Sequence, residues 1–150
     1  APYDDGETII TVEEPRASIG DFSLSPNNRK IAYIVVDGPI EALWVVDVTG
    51  QNQRQLYELS KGGTLTKPSW SPNGQSIVIG HRPKGTHNSS SYDLTLIDLN
   101  SSQIIDLDVG QAGESLVWSP NGQWLYYTRP ILIELPFTYR TTLHRLEVKR

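Results

Sequence analysis

Cysteine is absent from the 150 residues, which removes a disulfide framework and any thiolate metal site. That absence fits an oxidising compartment without establishing one. Methionine is absent too, at position 1 as elsewhere, so the chain is expected to start after processing or to be a piece of something longer. No apolar run approaches the roughly 20 residues that span a bilayer. No basic stretch precedes an apolar one at the start, so any secretory signal is expected to have gone already. A basic field is missing as well: the net charge is −4, and no Lys/Arg cluster is interleaved with aromatics. Nucleic acid and anionic membranes both need such a field, and neither is expected as a partner. Helical period is lacking beyond the length of a turn. The 12 Gly and 10 Pro fall mainly between apolar runs, which is the pattern of an all-β chain.

What the sequence does contain is a repeat. Ser25-Pro26-Asn27-Asn28, Ser71-Pro72-Asn73-Gly74 and Ser119-Pro120-Asn121-Gly122 recur 46 and 48 residues apart. Each follows a short apolar stretch, ending in Leu24, Trp70 and Trp118, and each precedes a β-rich run: 30–36, 76–79 and 124–128. Proline fixes φ early in a turn, and Asn or Gly accepts φ > 0 at the next positions. Each copy therefore predicts a tight hairpin joining a first strand to a second. Third strands align at 43–48, 94–99 and 143–148, with an acidic residue recurring as Asp47, Asp98 and Glu147. Fourth strands follow at 54–59 and 103–107. The third unit ends without one, while residues 7–13 resemble a fourth strand placed first. Twelve strands offset by one fit three four-stranded blades within a single domain over residues 1–150. The blades fall at about 17–59, 64–109 and 113–150, plus the strand at 7–13.

A unit of the form apolar-Trp-Ser-Pro-Asp-Gly-x-x-apolar resembles the TolB-type β-propeller repeat, related in shape to WD-type propellers. The resemblance covers nearly the whole chain, with Asn27, Asn73 and Asn121 standing where the family favours Asp. Asparagine serves the same turn. The resemblance implies an all-β propeller of six or more blades, so three blades imply part of a longer chain or half of a six-bladed ring. In a homodimer each N-terminal strand would complete the partner's last blade, and two-fold pairing is the commonest oligomer symmetry. The resemblance further implies a bacterial protein in the periplasm or outside the cell.

Candidate chemistry is sparse. His81 and His87 flank a polar stretch holding Arg82 and Lys84, and His144 falls in a strand. A metal site needs converging ligands, and solvated loop histidines are the simpler reading, so no metal is expected. No Gly-x-Ser-x-Gly elbow is present, and Ser71 and Ser119 are explained by their hairpins. The repeated acids are expected to hold the turn into the fourth strand. No cofactor and no catalytic residue are assigned.

Two connections between second and third strands are long: Arg82 to Tyr92, and Arg129 to Tyr139. The latter carries Pro130 to Phe137, strongly apolar for a loop, and exposed apolar segments mark contacts. Arg82, His87, Tyr92, Arg129, Ile131, Leu132, Phe137 and Tyr139 are the candidate binding residues. The expected function is a noncatalytic propeller module for protein–protein interaction or scaffolding in the cell envelope or a larger complex. The alternative is the gating portion of a prolyl-oligopeptidase-type serine hydrolase, whose catalytic domain would lie in a longer chain.

Overall fold

A computed structural model of the chain describes residues 6–12, 17–83, 85, 91–134 and 138–149. They form antiparallel sheets and, among the described residues, no helix. The first sheet runs in order β1 (Ala17–Leu24), β2 (Lys30–Asp37), β3 (Ile40–Asp47) and β4 (Arg54–Leu59). In the second, β5 (Thr64–Leu65) and β6 (Ser69–Trp70) both pair with β7 (Ser76–Arg82), followed by β8 (Asp93–Asp98) and β9 (Ile104–Asp106). The third contains β10 (Leu116–Trp118), β11 (Trp124–Glu134) and β12 (Thr138–Glu147).

One hairpin, used three times, sets this order. Ser71 Oγ donates to Asn73 Oδ1 at 2.7 Å and accepts from the Ser76 amide at 3.0 Å. Asn73 Oδ1 also accepts from the Gln75 amide, and the Ser71 carbonyl accepts from the Gly74 amide. The same bonds recur around Ser25/Asn27 and Ser119/Asn121. Gly74 and Gly122 lie at φ +69°, and Asn28 takes the same left-handed position at +58°. Buried polar groups need partners, and these serines, all buried, find theirs within their own turns.

Strand alternation then builds two cores, one in each gap between sheets. Ala32, Ile34, Leu43 and Val45 of the first sheet meet Trp70, Ile77, Ile79 and Ile97 of the second. From the opposite face of the second sheet, Val78, Leu94 and Leu96 meet Leu125 and Tyr127 of the third. The second sheet is thus apolar on both faces, because it is the middle layer. The tryptophans tie first strands together: Trp70 Nε1 donates to the Ser23 carbonyl, and Trp118 Nε1 to the Ser69 carbonyl. β5 and β6 divide at Thr66, whose Oγ1 accepts from the Gly80 amide at 2.7 Å. A Cβ on Gly80 would sit 2.8 Å from the Thr66 methyl, so only glycine lets Thr66 in so close.

Two expectations are revised. Residues 130–134 and 138–139 are strand: β11 continues to Glu134, and β12 begins at Thr138, paired with it. Pro130 breaks no ladder, because the Thr128 N–H points to Ser115 on the β10 side. The nitrogen two residues on faces the same way, where β10 has already ended. His81 lies within β7, half-buried, opposite Leu65 and Asp93. Residues 6–12 take part in no ladder of the described residues. They pass near the first sheet instead, the Ile9 carbonyl approaching Gly50 closely enough to exclude a Cβ there.

Candidate functional site

At the end of the sheets opposite the Ser-Pro-Asn turns, the second and third sheets are joined through the segment from Val109 to Gly113. Tyr92 exchanges both backbone hydrogen bonds with Ala112, at 2.7 and 2.8 Å. The Gly113 amide donates to the Thr128 carbonyl on β11. Arg82, ending β7, lays its guanidinium 4.7 Å from the centre of the Tyr92 ring, a cation–π contact. The Tyr92 hydroxyl donates to Glu114 Oε1 at 3.1 Å. Burial raises the Tyr92 pKa above its ordinary value; Glu114 adds to the rise and Arg82 opposes it. The phenol is therefore held neutral as a donor. Tyr92 and Glu114 line a cavity of about 440 Å³ with Asp21, Thr64 and Lys67, so residues from the first two sheets and the approach to the third converge there.

Arg129 lies on the other side of the same segment. Its guanidinium donates to the Val109 carbonyl and to the Tyr127 hydroxyl, while its buried Nε has no partner among the described residues. Behind it the Tyr127 and His144 rings stack with centroids 5.5 Å apart, and His144 Nε2 lies 2.7 Å from Thr142 Oγ1. On the first sheet's side, His81 faces the Tyr57 ring at 5.8 Å. Burial raises the Tyr57 pKa, and Asp106 and Asp93 add to it.

The structure thus brings Arg82, Tyr92 and Arg129 to one end of two neighbouring sheets. Ile131 projects from the extended hairpin and is exposed, as is Ile133. Leu132 and Tyr139 are cross-strand partners in that hairpin. His87 and Phe137 lie outside the described residues. The sequence reading missed Glu114, which meets Tyr92 across 22 residues through a single bridge, a separation that no spacing rule reveals. Two of the three repeated acids, Asp47 and Asp98, hold turns as expected, whereas Glu147 accepts from Gln123. Asp98 Oδ1 accepts from the Asn100 and Ser101 amides and from Ser101 Oγ, and Asp47 accepts from Asn52. The described residues contain no cluster of three or more His, Asp or Glu able to hold a metal ion. They contain no helix long and apolar enough to cross a membrane.

The family described as the lipoprotein LpqB β-propeller domain matches residues 5–87. Several solved propellers superpose on the chain. TolB from Acinetobacter baumannii aligns with TM-score 0.68 and 18% identity over 94% of this chain and 32% of its own. A protein assigned as TolB from Agrobacterium tumefaciens gives 0.62 and 20% over 86% and 43%. Prolyl oligopeptidase B from Galerina marginata gives 0.60 and 12% over 88% and 20%. The chain therefore spans less than half the length of these relatives in structure, and at such identities the likeness concerns the fold. No curated protein matches the chain.

Proposed function

Because this chain belongs to the lipoprotein LpqB β-propeller domain family, we propose that it is a noncatalytic, protein-binding propeller module of the cell envelope. The observation that carries this reading is the exposed apolar surface at the two ends of the stack. On the first sheet Ile19, Phe22 and Leu24 form the exposed β1 edge of the face turned away from the second sheet, beside Tyr33, Ala42 and Val46, which are buried on that same face, and Phe22 is 64% exposed. On the third, Val117 and Leu143 share the outer face, and Leu143 is 73% exposed. Apolar sheet faces of this kind are covered by another layer in stable proteins. A second copy supplies two such faces at once, the third sheet of each chain against the first sheet of the other, and this closes a six-bladed ring. The cavity at Tyr92 and Glu114, with Arg82, Arg129 and the hairpin residues Ile131, Leu132 and Tyr139, then forms the surface offered to a protein partner, and His87 and Phe137 are assigned to the same role from the sequence alone. The lipoprotein description of the family supports the periplasmic or extracellular setting.

Phe22→Ser and Leu143→Ser test this reading, since neither side chain belongs to a core. Sedimentation equilibrium is expected to show the unaltered chain as a dimer and each variant shifted to monomer with an unchanged circular dichroism spectrum. A dimer that survives both substitutions would refute this pairing. The likeness to prolyl oligopeptidase B supports a second reading, the gating portion of a serine hydrolase. A gene that runs on into a Gly-x-Ser-x-Gly-bearing domain would favour it.

A further inference from the structure

The two junctions between neighbouring sheets follow one plan and differ at two positions. At the first, Arg54 stands opposite Val45, two residues before Asp47. Its guanidinium crosses the gap and donates at 3.0 Å to the carbonyl of Leu99, one residue after Asp98. The counterparts at the second junction are Ile105, opposite Leu96 two residues before Asp98, and Val148, one residue after Glu147. Isoleucine is too short to cross. A cavity of about 580 Å³ opens there, walled by Leu96 and Ile105 on one side and by Trp118, Leu146 and Val148 on the other.

Asp98 lies on the same face of β8 as Leu96 and so on the crevice side, whereas Asp106 and Glu147 stand on the strand faces opposite to Ile105 and Leu146; Lys149 is the one cation among the described lining residues. At the first junction Lys30 pairs with Asp47 at 2.5 Å. Ser76 occupies the position of Lys30 in the second sheet, five residues past the hairpin serine, and leaves Asp98 without that counterion. Asp98 commits Oδ1 to its own turn. Apolar walls beside this carboxylate suit a side chain with an aliphatic stem and a cationic head. A guanidinium fits better than an ammonium, because its planar fork bridges separate acceptors and lies flat on an indole.

We propose that the crevice between the second and third sheets is a docking site for an arginine side chain of a partner polypeptide, seated as Arg54 is seated at the first junction. The site lies at the turn end of the sheets, away from Tyr92 and the hairpin, so it stands or falls separately from the surface described above. The test is a titration of the full chain with acetyl-Leu-Arg-Leu-amide, followed by ¹H–¹⁵N NMR. Saturable shifts are expected at the Trp118 indole N–H and the Ile105 and Asp106 amides, and none with acetyl-Leu-Ala-Leu-amide. Ile105→Arg places an arginine in the crevice from within the chain and is expected to weaken the peptide about tenfold or more, the scale of a lost charge-assisted hydrogen bond. Asp98→Asn, which keeps an oxygen to accept the turn amides, is the second variant and is expected to weaken it several-fold. Equal binding of acetyl-Leu-Lys-Leu-amide would overturn the arginine assignment. Shifts confined to other residues, or undiminished binding to either folded variant, would overturn the site.

Discussion

Ser25, Ser71 and Ser119 are buried, and each closes its hairpin through the Asn two residues on. Removing that Asn leaves the serine hydroxyl and an amide short of an acceptor. Asn73→Ala is therefore expected to cost about 1–2 kcal/mol in urea unfolding. Asn73→Asp keeps the carboxyl oxygen in place and is expected to stay within about 0.5 kcal/mol. A second expectation concerns acid. The Lys30 ammonium and then the Asn52 amide lower the Asp47 pKa, and the Ser101 backbone and hydroxyl lower that of Asp98. A carboxylate depressed in the fold adds stability above its unfolded pKa, and this is lost as pH falls through the folded value. The urea midpoint should thus drop as pH falls below about 4, and Asp98→Asn should flatten part of that drop. A midpoint indifferent to pH in this range would contradict the assignment. The hairpins and the acid-held turns were legible beforehand, because turn chemistry acts over five or six residues, whereas the Lys30–Asp47 pair, 17 residues apart, was not.

Among the elements, the β11–β12 hairpin shows where local reading stops. Ile131 and Ile133 alternate with period 2 on β11, yet the sequence places them in the connection from Arg129 to Tyr139. Whether a proline breaks a ladder depends on whether a neighbour lies on its nitrogen side, and here that neighbour, β10, has already ended. Only the tertiary arrangement supplies this. Both isoleucines are exposed, so Ile131→Ser with Ile133→Ser is expected to leave stability within about 0.5 kcal/mol while abolishing any partner contact made by the hairpin. A large loss of stability in thermal unfolding would mean that the hairpin packs on the sheets. The middle sheet behaves differently. Ile77, Val78 and Ile79 are wholly buried by layers on both sides. The residues that separate the two junctions, Arg54 and Ile105, align only once the fourth strands are registered against the third. A one-residue uncertainty there exchanges the faces of a strand.

For the whole molecule, the repeat made three sheets readable from sequence, and the offset of residues 6–12 did not translate into a paired strand. Exposed apolar side chains mark both ends of the stack, on β1 and on the outer face of the third sheet, and the pairing proposed above covers both with one kind of contact. Light scattering on the unaltered chain across a dilution series tests this most directly. The pairing predicts a mass near twice 16.8 kDa that falls towards the monomer on dilution. A mass of 16.8 kDa at every concentration would contradict it.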